Sequence, residues 1–483
     1  METKITQGMV WPPGDGNTRN ATYQQYTLLL KGDHFTAFNA EIKDPRWTKK
    51  YQRLRYMTIN LPGMVSRICA DMLFSEPIVV NAKDDQQQPF LDALIINQKL
   101  HTKLYESAVD NSAKGDAVFK IRTNGGASTE PIVIETIDPS MHYMLVNPNN
   151  SQEVTAHVIS WEFTKDKKNY VRMEIHLKGA IENKICLLDR GLIADEQPLD
   201  GFTDEFGELK PRQETGIDEF LIVHVPNFKL PGMIEGISDY EDIITLVYGI
   251  NNRMTAIDNI LDKHSDPILA MPEGYLDENG ELHKKFAGVI EYENGTDGKP
   301  EYIVWDASLD NAFRHLEKMI EMFYMVAEVS PDVLGLGKGV SDSGRALKFK
   351  IMRTLAKTQR KKLHYMSAIK KILLISEKLA AKFKDLKPQG VAFTGTPEEP
   401  EVIFADGLPN NYDEQVITEA AAIDAQLTSK KQSIKRLYGL DDEAADDLLT
   451  EIEEEQPKIE LPEPKLTSSI DNPDENTRAA PVK

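Results

Sequence analysis

Two long amphipathic helical segments flank a short, turn-rich insertion in the second half of the chain. The first begins near Ser238, a residue type that caps helices, and its apolar residues recur at threes and fours to about Lys263. At 1.5 Å per residue it would be a rod of roughly 39 Å. The second runs from Leu309 to Val329. Because residues 267–308 are too few to cover both rods, we expect the rods to pack against copies of themselves.

The first half of the chain predicts an α+β domain. Residues 1–19 are rich in Gly, Pro, Asn and Thr, which is typical of an arm without its own core. Helical spacing then gives way, after Gly115, to short alternating segments that predict a largely antiparallel sheet. The helices are expected near Tyr23, from Tyr51 to Leu73 and from Phe90 to Ala113. The strands are expected at 117–121, 132–135, 157–163, 170–176 and 220–227.

Charge is distributed unevenly along the chain. The formal net charge is -21, which argues against a protein that binds nucleic acid with its whole surface. From Arg345 to Lys387 there are 14 basic and two acidic residues, in a segment that predicts one helix of roughly 40 residues. Three interpretations of this helix stay open: a solvated basic face, a face toward nucleic acid, or a face toward acidic segments of neighbouring subunits. From Asp441 to Glu475 the balance reverses, and we expect an acidic, disordered tail.

The cysteines and the hydropathy exclude two protein classes. Cys69 and Cys186 lie in apolar surroundings without a Cys-x-x-Cys pair, which predicts reduced, buried thiols. The N-terminus lacks a basic segment followed by an apolar one. Since no stretch reaches the roughly 18 apolar residues needed to cross a bilayer, we expect no export signal and no membrane partner.

A glycine-rich segment invites an interpretation as a phosphate-binding loop. Gly335, Gly337 and Gly339 alternate around Lys338, and backbone amides of such turns can bind phosphate at a helix start. A P-loop or a dinucleotide site has a different glycine spacing and follows a strand, whereas this loop lies between two predicted helices. We therefore interpret it as a mobile loop and predict no cofactor.

The remaining chemistry-bearing residues do not form a recognisable active site. Asp262, His264 and Ser265 are the residue types of a hydrolase triad, but residues adjacent in sequence rarely reach triad geometry. They fit a helix end better. The ten histidines include no pair with the spacing of metal ligands. The sequence therefore predicts no catalytic residue and no metal site.

Several strings resemble the portal proteins of tailed bacteriophages, of the type found in long-tailed phages. The closest is Ser341-Asp-Ser-Gly-Arg-Ala-Leu-Lys-Phe-Lys350, which resembles the family's Ser-Gly-x-Ala-Leu-Lys signature at the start of a long helix. It is supported by the strings at 104–120, 251–258, 262–268 and 330–335. The resemblance covers roughly residues 20–455 and is specific in the combination of strings.

The resemblance implies a portal fold of the α+β class. Its parts are an α/β wing, a two-helix stem, a small α/β clip, a tunnel loop with a long wing helix, and a helical crown. The implied regions are an N-terminal arm 1–19, wing 20–235, first stem helix 236–266, clip 267–308, second stem helix 309–330, tunnel loop 331–344, basic wing helix 345–387, a β segment returning to the wing 388–410, crown 411–456 and acidic tail 457–483.

The same resemblance implies a passive role in moving DNA. Portal subunits form a ring, usually of twelve, at one capsid vertex, through which double-stranded DNA of any sequence is packaged and ejected. The implied partners are the terminase large subunit, the scaffolding protein, the major capsid protein and a head-tail adaptor. The ring would assemble in the host cytoplasm and reside in the virion. A ring component of a tail or baseplate and a nucleotide-binding enzyme are the alternatives.

Site residues follow from this assignment. The residues expected to line the DNA channel are Val333, Leu334, Gly335, Gly337, Lys338, Gly339, Val340 and Ser341. Lys338 is the only charged residue between Gly335 and Ser341, so it is either a light phosphate contact or a solvent-facing lysine. Weak contacts suit conduction, because each phosphate paired with a cation adds salt-sensitive affinity. The residues expected to dock the motor are Tyr275, Asp277, Glu278 and Phe286 of the clip.

The clip aromatics give a first prediction. Tyr275→Asp or Phe286→Asp should leave the ring intact and weaken docking of the packaging motor, since aromatic residues on a polar, turn-rich insertion are typical contact anchors. The measurement is co-sedimentation of purified rings with the terminase large subunit. Loss of soluble protein would instead indicate that the two aromatic side chains belong to a small core within the clip.

Overall fold

The computed structural model describes residues 5–39, 56–200, 203–204, 207–264, 268–272, 289–292, 301–303, 309–336, 344–405, 412–440 and 442–455. Helices and strands are mixed, as the sequence predicts. The chain forms two compact units, Met1–Leu408 and Pro409–Lys483.

The described part of the first unit contains nine α-helices. They are α1 (Gly16–Lys31), α2 (His34–Ala37), α3 (Leu61–Phe74), α4 (Gln88–Asn97), α5 (Leu100–Lys114), α6 (Ile244–His264), α7 (Asp310–Val326), α8 (Gly344–Lys350) and α9 (Met352–Lys382). Helices α6 and α7 occupy the two predicted rods. Helix α6 begins after Ser238, whose hydroxyl accepts a hydrogen bond from the Tyr240 amide, and the chain passes through further turns before the regular helix starts at Ile244.

Strands fill the predicted wing and return in the predicted clip. They are β1 (Val79–Asn81), β2 (Asp116–Thr123), β3 (Ile132–Ile137), β4 (His142–Asn147), β5 (Asn150–Lys165), β6 (Lys168–Leu177), β7 (Ala180–Asp189), β8 (Leu192–Gln197), β9 (Thr203–Asp204), β10 (Gly207–Glu208), β11 (Arg212–Glu214), β12 (Ile222–Pro226), β13 (Ile268–Pro272), β14 (Val289–Tyr292), β15 (Glu301–Ile303) and β16 (Glu401–Ile403).

The predicted antiparallel sheet of the wing is two main sheets. One has the order β11-β7-β6-β5-β4 with β8 beside β7, and the other has the order β12-β2-β3. Every pairing in both is antiparallel, for example Val158 opposite Ile175 and Val118 opposite Ile137. A two-stranded ribbon joins β1 to β16, which brings the segment after α9 back to the wing. Alternating burial along β6 gives its sheet one covered and one wetter face.

Two helix predictions need correction. The helix predicted from Phe90 to Ala113 is broken at Lys99, where φ is +49°. The break turns the Gln98 side chain inward, and its carbonyl oxygen accepts a hydrogen bond from the Ile134 amide at 2.9 Å. The helix predicted from Tyr51 begins at Leu61, because the Asn60 side chain caps it through the Gly63 amide; residues 51–55 lie outside the described residues.

The prediction of an N-terminal arm without a core is wrong for its described part. Trp11 is 3% exposed and packs against Tyr143, with ring centroids 5.3 Å apart. Its amide donates to the Gly191 carbonyl at 2.8 Å, and Val10 bridges to Leu192 beside β8. One large aromatic residue thus fixes a segment whose composition otherwise favours disorder.

Two large apolar clusters account for most of the buried interior of the described first unit, and smaller ones lie against the sheets, one of them around Trp11 and Tyr143. One large cluster joins α4, α5 and the middle of α9 to β2, β3 and β12. The other joins α1 and α3 to α6 and α7, and it buries Tyr240 and Phe323 completely. Cys69 and Cys186 are buried and unpaired, as predicted. No helix within the described ranges is long and apolar enough to cross a membrane.

The predicted clip, crown and tail are described only in part. Strand β13 pairs with β14 in parallel and with β15 antiparallel, which gives a small sheet in the clip range. The docking residues Tyr275, Asp277, Glu278 and Phe286 lie outside the described residues, as does the tail 457–483. In the second unit, the predicted helical region is α10 (Tyr412–Asp424), α11 (Lys430–Tyr438) and α12 (Asp442–Glu455).

The basic segment is helical for most of its length but is not one helix. The backbone leaves helical geometry at Ile351, between α8 and α9, and the helix ends at Lys382 rather than near Lys387. One acidic residue of α9, Glu377, is fully buried. One of its carboxyl oxygens accepts a hydrogen bond from the Glu398 amide at 3.1 Å, and the other has no hydrogen-bond partner among the described residues. Burial raises the pKa of Glu377 to about 7.

The raised pKa of Glu377 predicts a pH-dependent stability. The folded chain binds this proton more tightly than the unfolded chain, whose carboxyl titrates near 4.5, so the free energy of unfolding falls as pH rises between these values. Glu377→Gln lacks this titrating carboxyl. Between pH 5 and pH 8 its free energy of unfolding should therefore rise relative to that of wild type by up to about 3 kcal/mol. Urea denaturation at both pH values measures it, with the exposed Glu401→Gln as control. Parallel pH profiles of Glu377→Gln and wild type would contradict the prediction.

Candidate functional site at the loop root

The glycine-rich loop begins from a short, well-defined segment, residues 327–336, which we call the loop root. After α7, Ser330 caps a 3-10 turn over Pro331–Leu334, and Gly335 ends the turn with φ of +70°. Of the residues predicted to line a channel, Val333, Leu334 and Gly335 belong to this root. The others, Gly337, Lys338, Gly339, Val340 and Ser341, lie outside the described residues.

Val333 and Leu334 have a role that the sequence did not suggest. Their side chains are half-buried against the cluster of α3, α6 and α7, where Leu355 of α9 also packs. They therefore attach the loop root to the core. Leu336, the last described residue before the loop, is 61% exposed.

Helix α7 ends in a Schellman motif with an unusual residue at its left-handed position. The Val329 amide donates to the Tyr324 carbonyl at 3.1 Å, and the Glu328 amide donates to the Met325 carbonyl at 3.3 Å. Glu328 has φ of +56°, where glycine is the usual residue. A side chain at such a position costs about 1 to 2 kcal/mol, so contacts of that side chain must offset the strain.

Those contacts come from α9. The Glu328 carboxylate binds Arg353 with an N–O distance of 2.5 Å, and its other oxygen pairs with Arg360, two turns further along the same helix. Thr354 hydrogen-bonds both the Glu328 carbonyl, at 3.2 Å, and the Ser330 amide, at 2.8 Å. Lys350 adds a longer ion pair, 3.7 Å, to Asp332. The loop root is thus held to α9 by its side chains and its backbone.

A buried ion cluster lies directly beneath the loop root. Asp239, Lys357 and Lys361 are each less than a tenth exposed, and the carboxylate binds the two ammonium groups at 3.1 and 2.6 Å. Burial alone would raise the pKa of Asp239, but the two lysines hold it well below its usual range. Burial likewise disfavours the charged amine of Lys357, yet Asp239 raises its pKa. The charged forms of the cluster therefore stabilise one another.

The cluster connects several elements through its remaining hydrogen bonds. Asp239 accepts from the Ser112 hydroxyl of α5 at 2.5 Å and from the Asn227 side chain at 3.1 Å. Lys357 also donates to the Ala327 carbonyl, the first residue after α7, at 2.8 Å. Because each partner belongs to a different element, the cluster fixes the end of α7 relative to α5 and α9.

These contacts exclude one of the three interpretations of the basic helix for part of its length. Lys357 and Lys361 are buried in the ion cluster, and Lys362 is buried with its ammonium donating to the Ala405 carbonyl at 2.5 Å. A solvated face is therefore wrong for these three lysines. The sequence places Lys357 and Lys361 on one helical face, four residues apart, but it did not identify Asp239 as their partner.

Two cavities flank the loop root. One of about 360 Å³ lies over the ion cluster and is also lined by Phe228, Asp242 and Arg360. The other, of about 640 Å³, is lined mainly by apolar residues of α7 and the loop root together with Arg353. Glu328 borders both cavities, so its carboxylate lies between them.

The structure gives no support to the residues considered for catalysis or metal binding. Asp262 and His264 lie at the end of α6, and Ser265 is outside the described residues. Where the structure is described, no group of three or more His, Cys, Asp or Glu side chains could hold a metal ion.

With this geometry in place, the chain can be compared with known proteins. Residues 16–458 match the model of a family described as "Phage portal protein, SPP1 Gp6-like". The chain belongs to this family. The resemblance inferred from the Ser341–Lys350 string and its companions is thereby confirmed.

Similar solved structures come from gene transfer agents. A chain in "Virion of native gene transfer agent (GTA) particle" is 11% identical, with a TM-score of 0.43 over 89% of this chain and 95% of that chain. A chain in "Neck of native GTA particle computed with C12 symmetry" is 10% identical, with a TM-score of 0.39 over 78% of this chain and 88% of that chain. No curated protein matches the sequence.

The ion cluster of this portal-family chain gives a stability prediction. Asp239→Asn keeps the shape of the side chain but leaves two buried ammonium groups without a carboxylate, which should lower the free energy of unfolding by about 3 to 5 kcal/mol. Urea denaturation at pH 7 measures it. Glu182→Gln, which breaks a surface pair with Arg212, should leave the midpoint nearly unchanged. Equal midpoints for Asp239→Asn and wild type would show that the cluster does not hold the fold.

Proposed function

We propose that the protein is the portal subunit of a phage-like particle and forms a closed ring, of twelve copies as is usual in the family, around a channel for double-stranded DNA. In this proposal the ring occupies one capsid vertex and conducts DNA during packaging and ejection. The family membership over residues 16–458 supports the portal assignment. No catalytic step belongs to this role, since the packaging motor supplies ATP hydrolysis.

The observation that carries the ring is the surface of α7. One side of this helix packs on the second apolar cluster through Leu316, Met319 and Phe323. Its other side leaves apolar residues in solvent when the chain is alone: Phe313 at 41%, Met322 at 54%, Met325 at 76% and Val326 at 42% exposure. An apolar surface of this kind on a long helix is typical of a protein interface, and identical copies around an axis would cover it.

The loop root supports the location of the channel. It presents the glycine-rich loop from a rigid base between α7 and α9, so a loop of variable shape would have a fixed origin. In the proposed ring this tunnel loop contacts DNA of any sequence, with Lys338 as a light phosphate contact. The net charge of -21 suits a channel in which DNA must slide rather than bind tightly.

The remaining regions and partners follow from the family. In the proposal, α6 and α7 form the stem, residues 20–235 with α9 form the wing, 411–456 form the crown, and the clip at 267–308 docks the terminase large subunit through Tyr275, Asp277, Glu278 and Phe286. A head-tail adaptor, the scaffolding protein and the major capsid protein are the other partners. Assembly takes place in the host cytoplasm and the ring becomes part of the virion.

Light scattering coupled to size exclusion, with negative-stain imaging, tests the ring. Wild type should form a closed ring of defined subunit number. Met325→Asp should shift the protein to monomers or small oligomers while its helix content and urea midpoint stay close to wild type, because the charge enters the interface and not the core. Ile96→Asp, a matched change at a 63% exposed residue of α4, should leave the ring intact. A monomeric wild type, or normal rings with Met325→Asp, would count against the interface.

A further inference from the structure

The Glu328 carboxylate pairs with two cations whose side chains are otherwise accessible to solvent. Its own side chain is 20% exposed, whereas those of Arg353 and Arg360 are 71% and 46% exposed. Both guanidinium groups therefore present part of their donor set to solvent at the base of the glycine-rich loop. Guanidinium is the side-chain group that best matches phosphate geometry, so these are the groups by which DNA could be held here.

Residue 328 combines a left-handed backbone with a charged side chain that pairs with two arginines. Seven residues later, Gly335 occupies the same left-handed region with φ of +70° and needs no side chain. At 328 the chain instead places a glutamate in that strained conformation. Lys357 and Thr354 also bind the Ala327 and Glu328 carbonyls, so the loop root keeps backbone contacts with α9 when this carboxylate is removed.

We propose that Glu328 masks Arg353 and Arg360 from the phosphates of double-stranded DNA, so that the loop root borders the channel without retaining the duplex. This inference rests on the proposed function, since it requires DNA to pass the loop root. Glu328 acts through the two arginines, so it is a positioning residue for them. The cavities on its two sides, one beside each arginine, leave room for a phosphate to approach if the carboxylate is removed.

Removal of the Glu328 carboxylate should strengthen DNA binding and make it more dependent on salt. A cation already paired with a carboxylate gains little from a phosphate, whereas a released guanidinium gains a charge-assisted contact and releases a counterion from DNA. Each new contact should steepen the dependence of log affinity on log salt by about 0.9. Between 50 and 200 mM salt, the advantage of an unmasked variant over wild type should then shrink by about 3.5-fold per contact.

The test is a salt series of binding between purified full-length rings and a short, labelled double-stranded DNA of mixed sequence. Glu328→Gln should bind severalfold more tightly than wild type at low salt, with the steeper slope. The triple variant Glu328→Gln/Arg353→Gln/Arg360→Gln should lose this gain and match Arg353→Gln/Arg360→Gln. Glu401→Gln removes the same charge at an exposed residue of β16 that lines neither cavity, so this matched control should bind as wild type does. A structural role alone would change urea midpoints without changing the salt slope.

Three outcomes decide the proposal. Wild-type affinity and slope in Glu328→Gln overturn it, and so does a gain that persists in the triple variant. Should Glu328→Gln fail to fold, Glu328→Gly removes the same carboxylate at a backbone position that favours glycine, and its binding decides in the same way. Wild-type rings that bind no DNA at any salt concentration, or a wild type that forms no ring, would instead count against the proposed function.

Discussion

The arrangement of the first unit depends on the pairing of one buried carboxylate with two buried lysines. An uncompensated charge at this depth would cost several kcal/mol, so Asp239, Lys357 and Lys361 must stay within contact distance of one another. Their other hydrogen bonds reach α5 through Ser112 and the end of α7 through Ala327. The requirement that these buried charges stay paired therefore constrains the relative positions of the three helices.

The loop root inherits its position from this cluster. Once the end of α7 is fixed against α9, Thr354 can bind the backbone on both sides of Val329, and Val333 and Leu334 can rest on the core. The glycine-rich loop that follows starts from a defined point.

The parts of this structure that depend on neighbours in sequence could be predicted, and those that depend on distant partners could not. Apolar periodicity placed both rods, most of the basic helix and five strands of the first unit (β2, β3, β5, β6 and β12), but it did not identify β4, β7 or β8. It missed the break at Lys99, because this break depends on a hydrogen bond between Gln98 and the distant Ile134 amide. It also missed the burial of Trp11, because Trp11 packs on Tyr143, a strand residue more than a hundred positions later in the chain. The glycines alone predicted a loop after Pro331 and the family resemblance suggested its role, but neither could distinguish the half-buried Val333 from the exposed Leu336.

In this acidic chain, acidic side chains pair with cations of α8 and α9 in the interior, at partly exposed positions and at the surface. Two inward-facing lysines of α9 share the Asp239 carboxylate, two partly exposed arginines of α9 share the Glu328 carboxylate, and Lys350 of α8 pairs loosely with Asp332. Composition alone left three interpretations of this basic helix open, because a linear sequence shows the cations but not their partners. In three dimensions most of the positive charge near the loop is already used in holding the protein together. A helix can therefore be strongly basic in sequence and hold the root of a loop while several of its cations are paired with acidic side chains of the same protein.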